Sequence, residues 1–107
     1  MILYIDTTDF NKVTFALSAD GKLIKRSYKI DPHRSHETLQ KLEEFIKSRK
    51  LKVESIKEII CNKGPGSFTG TRVGVTHALA LGFALDVSVK FESAENFNLL
   101  SAGKQKL

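Results

Sequence analysis

The spacing of apolar residues changes from segment to segment along the chain, and each change marks an element. Ile2-Leu3-Tyr4-Ile5 is an unbroken β-favouring run, the pattern of a strand buried on both faces near the centre of a sheet. Asp6-Thr7-Thr8-Asp9 closes it with turn chemistry. Val13, Phe15 and Leu17 then alternate with Thr14, Ala16 and Ser18, and Asp20-Gly21 follows as a two-residue hairpin turn. Leu23, Lys25, Ser27 and Lys29 alternate with Ile24, Arg26, Tyr28 and Ile30, a long strand mixed on both faces. Together these runs predict an antiparallel meander of three strands, ended by Pro32.

After Ser35, a plausible N-cap, the period lengthens. Leu39, Leu42, Phe45 and Ile46 fall on one face of a helix from His36 to about Lys50. Residues 51–56 link it to a fourth strand, Lys57 to Asn62. A helical connection between strands is what parallel pairing requires. Asp86 to Phe91 makes a fifth strand, with Val87, Val89 and Phe91 on one face, and Ser93 caps a short helix through about Leu100. The expected fold is α/β: a mixed five-stranded sheet, antiparallel meander plus parallel strands, with two main helices. Residues 1–100 form one lobe, and 101–107 a polar tail.

Between the fourth strand and the second main helix, Thr69 to about Leu85, lies Gly64-Pro65-Gly66-Ser67-Phe68-Thr69-Gly70. Strand, glycine-rich loop, helix is an arrangement that leaves backbone N–H groups free at the positive end of the helix dipole. Gly64, Gly66, Ser67, Thr69 and Gly70 are therefore candidates for an anion-binding loop. The plainer role is a sharp turn that packs helix on sheet. The helix itself carries Gly70, Gly74, Ala78 and Gly82 at every fourth position, with Val75, Leu79 and Phe83 on the opposite side. Its glycines cost roughly 0.8–1 kcal/mol each in helix propensity. Close packing must offset that cost. A helix apolar on two sides is either sandwiched within the domain or presented to a partner.

Composition narrows the class. Hydrophobic residues make up 41% and charged residues 27% of 107 residues, ordinary for a soluble globular domain. No apolar run approaches the ~20 residues of a membrane span, and nothing at Met1 reads as a cleavable signal. One cysteine excludes an internal disulfide and fits a reducing compartment, so a cytoplasmic protein is expected. Net charge is +5, and the densest basic stretch is Lys22, Lys25, Arg26, Lys29 and Arg34, opposed only by Asp31. An RNA or an acidic partner could meet it, although a solvated face is the commoner fate of such lysines.

The chemistry-bearing residues complete no catalytic signature. In the P-loop register from Gly64, Thr69 and Gly70 stand where glycine and lysine belong, and from Gly66 the residues are Thr71 and Arg72. Ser67 has Pro65 and Thr69 at ±2, so it is no nucleophile elbow. Cys61 and His77 lack a third group fixed by spacing, and a buried thiol is expected. His33 and His36 have no third ligand for a zinc site. Asp6 suits either Mg²⁺–phosphate chemistry or capping of its own turn through Thr7 and Thr8.

Two motifs about sixty residues apart resemble one family. Ile2-Leu3-Tyr4-Ile5-Asp6-Thr7-Thr8 and Gly64-Pro65-Gly66-Ser67-Phe68-Thr69-Gly70-Thr71-Arg72-Val73-Gly74 together resemble the N-terminal lobe of the bacterial TsaB (YeaZ) family. The resemblance implies an ASKHA (actin-like/Hsp70-like, ribonuclease H-like) lobe and a place in making N6-threonylcarbamoyladenosine in tRNA. It implies a non-catalytic subunit that pairs through its helices with a TsaD-like catalytic subunit and helps assemble a TsaE-like ATPase. Self-association through the same helices is a known alternative in the family. Contact with tRNA would be indirect, no cofactor is expected, and the older peptidase label finds no H-x-x-x-H here. The family has two lobes and the match covers the first, so a nucleotide cleft between lobes is not expected to close.

On this reading the partner surface comprises Gly70, Gly74, Ala78 and Gly82 as the close-approach ridge, with Arg72, Val75 and Leu79 beside it. Leu39, Leu42 and Ile46 supply the first helix's share. Gly74→Leu would then abolish pairing and leave the fold intact. The alternative is a nucleotide-, phosphate- or tRNA-binding module using the glycine-rich loop and the basic strand.

Overall fold

The computed structural model describes residues 1–31, 36–50, 52–66 and 68–101, with the backbone alone at 68 and 69. The order of elements is β1 (Ile2–Asp6), β2 (Lys12–Ala19), β3 (Lys22–Lys29), α1 (His36–Ser48), a 3-10 turn (Val53–Ser55), β4 (Glu58–Asn62), α2 (Phe68–Leu85), β5 (Ser88–Glu92) and α3 (Ala94–Ser101). The expected N-cap Ser35, along with His33, Arg34 and Ser67, lies outside the described residues. Ser101, placed in the tail by its polarity, is the buried last residue of α3.

The sheet runs β3-β2-β1-β4-β5. β1 is its middle strand, antiparallel to β2 and parallel to β4, which is parallel to β5 in turn. That position explains the unbroken apolar run: Leu3, Tyr4 and Ile5 are all buried. Asp20 and Gly21 both take positive φ, 51° and 79°, the two-residue turn whose twist matches a hairpin. Ala19 is therefore paired with Lys22, and every later β2–β3 pair follows from it.

The pleat divides the side chains between two layers. Leu3, Ile5, Val13, Phe15, Leu17, Ile59 and Cys61 form the main core with Leu42 and Phe45 of α1 and Ala78 of α2. On the other face Tyr4, Ala16 and Ile60 pack with Phe97 of α3, the Tyr4 and Phe97 rings meeting edge-on with centroids 6.0 Å apart. The first helix sits slightly rotated from its expected orientation. Thr38, Leu42 and Phe45 are buried and Ile46 is half-buried, whereas Leu39 is 46% exposed. The stripe that reaches the sheet is i, i+4, i+7 from Thr38, and Leu39 flanks it.

Candidate functional site

The two family-like motifs meet at the C-terminal ends of β1 and β4. Asp6 ends β1 and caps its own turn: Oδ1 accepts from the Thr8 N–H at 2.9 Å and the Thr8 hydroxyl at 2.6 Å. Thr7 is 1% exposed, and its hydroxyl donates to the Gly70 carbonyl in the first turn of α2. One turn later, Gly74 lies directly beneath it. A Cβ there would stand 2.1 Å from Thr7 Oγ1, a contact no side chain tolerates. Gly66 is seated against Thr8 in the same way, since a Cβ on it would stand 2.5 Å from Thr8 Cβ and 2.7 Å from the Thr8 carbonyl oxygen. The glycines and threonines are therefore two halves of one strand–helix joint.

Asn62 holds the loop from beneath. It is 1% exposed, and its Oδ1 accepts the Gly64 N–H at 2.9 Å. The Gly64 carbonyl accepts from Ala94 N–H at 2.9 Å and so ties the loop to α3. Gly64 has φ +98°, a backbone state other residues rarely adopt. Of the loop residues expected to hold an anion, Gly64 gives its N–H to Asn62, Gly66 is packed against Thr8, and the Gly70 carbonyl accepts a hydrogen bond from Thr7. Ser67 lies outside the described residues, and only the backbone is described at Thr69.

Cys61 is fully buried on β4, and burial, with Asp6 nearby, pushes its thiol up to about 12. A thiol held protonated in this way is a core residue and no nucleophile. His77 on α2 has a buried Nδ1 without a partner among the described residues, and burial lowers its pKa.

The ridge of small residues on α2 does not face outward. Gly74 abuts Thr7, Ala78 is 0% exposed in the main core, and a Cβ at Gly82 would stand 2.3 Å from Val89 Cγ2 on β5. This corrects their assignment to a partner surface: at 74, 78 and 82 the helix comes so close to its neighbours that only glycine or alanine fits, while Leu81 and Leu85 pack against the core beside them. Leu42 likewise belongs to the core and is 4% exposed. The opposite side of α2 is the open one, with Arg72 and Leu79 exposed, whereas Val75 is half-buried and packs against the main core. Phe83, absent from the expected surface, is 90% exposed. Its i+4 spacing from Leu79 is the sequence signal that points to it.

A separate cleft of about 390 Å³ opens beside the joint, lined by Asp6, Thr8, Asp9, Lys12, Thr14, Lys25, Ser27, Pro65, Gly66 and Asn98. Sequence reasoning does not group the β2 and β3 residues here. Only the strand register, Lys12 opposite Lys29 and Thr14 opposite Ser27, reveals that they share a face.

A family model for TsaD, tRNA N6-adenosine threonylcarbamoyltransferase, matches residues 30–92, more than half of the chain. The chain belongs to the TsaD family. The tRNA threonylcarbamoyladenosine biosynthesis protein TsaB of Bacillus subtilis (strain 168) is 27% identical over 93 residues, 87% of this chain and 41% of that protein. A solved structure of YeaZ from Pseudomonas aeruginosa superposes with a TM-score of 0.77 at 24% identity, covering 86% of this chain and 43% of that one. A second, described as an uncharacterized protein with similarity to peptidase YeaZ from Pseudomonas aeruginosa, gives 0.76 at 25% identity, covering 86% and 42%. The lobe thus has the fold of the TsaB (YeaZ) family, with three helices on a mixed sheet. It spans less than half the length of these relatives. The two motifs that carry the resemblance meet in this joint between Asp6-Thr7-Thr8 and the glycine-rich loop. Among the described residues no helix is long and apolar enough to cross a membrane.

Proposed function

We propose that this lobe is a non-catalytic assembly subunit in tRNA threonylcarbamoyladenosine biosynthesis, docking through α1 and α2 onto a TsaD-type catalytic subunit. The observation that carries the reading is the outward side of α2, where Leu79 is 51% and Phe83 90% exposed, beside α1 with Leu39 at 46%. Exposed large apolar side chains on adjacent helices are expensive to leave in water and mark a contact surface. A standard interface takes about 800 Å² per partner, roughly an eighth of this chain's 6553 Å² surface. In this reading Leu39, Ile46, Arg72, Val75, Leu79 and Phe83 contribute contacts, and the inner ridge sets only the height of α2 above the sheet. A TsaE-type ATPase joins the assembled pair, and a second copy of the chain competes for the same helices.

Sedimentation of the chain alone and mixed with a TsaD-type protein tests the pairing. A one-to-one complex is expected, lost in Leu79→Asp and Phe83→Asp while the melting curves of both variants stay close to the parent. A mixture that sediments as separate monomers would refute the docking reading. Calorimetric titration with ATP and Mg²⁺ tests the non-catalytic clause: micromolar binding by the chain would overturn it.

A further inference from the structure

The sheet ends on two unlike edges. β5 is five residues long, and its Lys90 is paired with Glu58 at 2.9 Å. β3 is eight residues long, with four cations and no acid. The Ile30 N–H donates to the Asn11 carbonyl at 2.9 Å, and Ala19 is paired with Lys22 across the hairpin turn. These two ends fix the alternation of the antiparallel ladder. Lys22, Ile24, Arg26 and Tyr28 hydrogen-bond to β2, so Leu23, Lys25, Ser27 and Lys29 turn their N–H and C=O groups outward. Among the described residues, no backbone group pairs with that outward side.

Basic residues on an edge strand commonly block pairing between copies, and two β3 strands side by side would indeed set cation against cation. The other devices that blunt an edge are missing. The strand is long, its register with β2 is unbroken, and it contains no proline. Ile24 is 37% exposed on it. Among the described residues, none of Lys22, Lys25, Arg26 and Lys29 has a carboxylate within ion-pair distance. Asp6 and Asp9 share the cleft with Lys12 and Lys25, but Asp6 ends β1, two strands in from the edge, and Asp9 sits in the turn that follows. Glu37 accepts the Asp31 N–H, and Glu44 is paired with Lys41. Asp20 and Asp31 flank β3 without belonging to it.

We propose that β3 takes an extended acidic polypeptide segment as a sixth strand of the sheet. The outward backbone groups supply the ladder, and the cations select the sign of the partner. Carboxylates opposite Lys22, Lys25, Arg26 and Lys29 fall at the first, fourth, fifth and eighth positions of an eight-residue strand, whichever way it runs. In the antiparallel sense the second and sixth positions lie opposite Tyr28 and Ile24 and suit apolar side chains. α2 packs on β1, β4 and β5, and α3 on β4 and β5. Neither is seated on β3, so the inference is independent of docking through α2. A domain packed over a face of the sheet would leave these outward groups as they are; only a strand pairs with them in series.

The test is fluorescence anisotropy with a labelled, end-capped peptide, Glu-Val-Thr-Glu-Glu-Val-Thr-Glu, and the whole chain at about 50 mM potassium chloride. Saturable one-to-one binding is expected, with amide exchange at Leu23, Lys25, Ser27 and Lys29 slowed about tenfold or more. An analogue N-methylated at its third and fifth residues keeps every charge but loses two donors to β3, and should bind at least about tenfold more weakly. Ser27→Pro removes one outward N–H without touching the β2 ladder and should weaken binding likewise. Lys25→Gln/Arg26→Gln/Lys29→Gln should cost roughly tenfold. Lys47→Gln/Lys52→Gln/Lys57→Gln removes the same charge elsewhere and should leave affinity within about threefold of the parent. Equal affinity for the peptide and its N-methylated analogue would overturn the proposal in favour of charge attraction alone. So would no binding by the parent at low salt. Should Ser27→Pro fail to fold, the N-methylated analogue still decides, because it leaves the chain unaltered.

Discussion

The two sides of α2 are both apolar, yet they do opposite things. Inward, Gly74, Ala78 and Gly82 let the helix axis settle onto β1 and β5, with Thr7 and Val89 occupying the space a Cβ would need. Outward, Leu79 is 51% and Phe83 90% exposed. Small residues report that something comes close, and large ones report what is left uncovered. In the proposed docking a partner would meet the side chains of the outer face, and the inner face fixes how far those side chains stand from the sheet.

The largest expected effect comes from violating the inner side. Gly74→Leu places a branched side chain where Cβ alone would be 2.1 Å from Thr7 Oγ1, and overpacking of this kind costs about 3 kcal/mol or more. Urea unfolding should show a large loss or no folded state. Phe83→Asp, on the outer side, should change stability by no more than about 0.5 kcal/mol. If the two variants unfold alike, the inner and outer assignments are wrong.

A smaller intrusion sharpens the same contrast. Gly82→Ala gains roughly 0.8–1 kcal/mol of helix propensity but sets a methyl 2.3 Å from Val89 Cγ2. A net loss of about 1 kcal/mol is expected. Adding Val89→Ala should then cost less than it does in the parent, by about 0.5 kcal/mol or more. Thr7→Val keeps the shape at the other end of the helix and removes the hydroxyl that donates to Gly70. It should cost about 1 kcal/mol in denaturant unfolding, the worth of one buried hydrogen bond.

These contrasts also show how far the fold and site were legible. Element order was readable because apolar spacing switches cleanly between strand and helix periods, and Asp20-Gly21 set the hairpin register to the residue. The orientation of α2 was not readable. A helix apolar on every side has no preferred face until the sheet beneath it is known. The rotation of α1 escaped because Thr38, polar by label, buries well while Leu39 does not. Asn62 escaped because a buried amide that receives a loop N–H has no spacing signature. The cleft beside the joint needed the pairing of Lys12 with Lys29, which are distant in sequence and adjacent only across the ladder.

Two titrations probe the main core and α2 with smaller effects. Cys61 belongs to the inner layer, and burial raises its pKa from 9.0 to about 12 in the folded chain. The unfolded state therefore loses this proton first as pH rises. Its contribution to stability is complete below about pH 9 and is lost progressively toward pH 12. Cys61→Ala should show a shallower alkaline decline in urea midpoint than the parent, and parallel curves would place the thiol in water.

His77 shifts the other way. Burial lowers its folded pKa below 6.5, and its Nδ1 has no partner among the described residues. The unfolded chain then binds the proton more readily, so the stability the neutral ring contributes is present above pH 6.5 and is lost as pH falls through the folded value. The parent should lose urea midpoint on acidification more steeply than His77→Gln, with the difference closing above neutrality. If a bound partner covers the outer side of α2 and desolvates His77 further, complex formation should move that acid limb to lower pH. An unmoved limb would mean that His77 titrates apart from the docking face, which would confine the partner to the Leu79–Phe83 side of the helix.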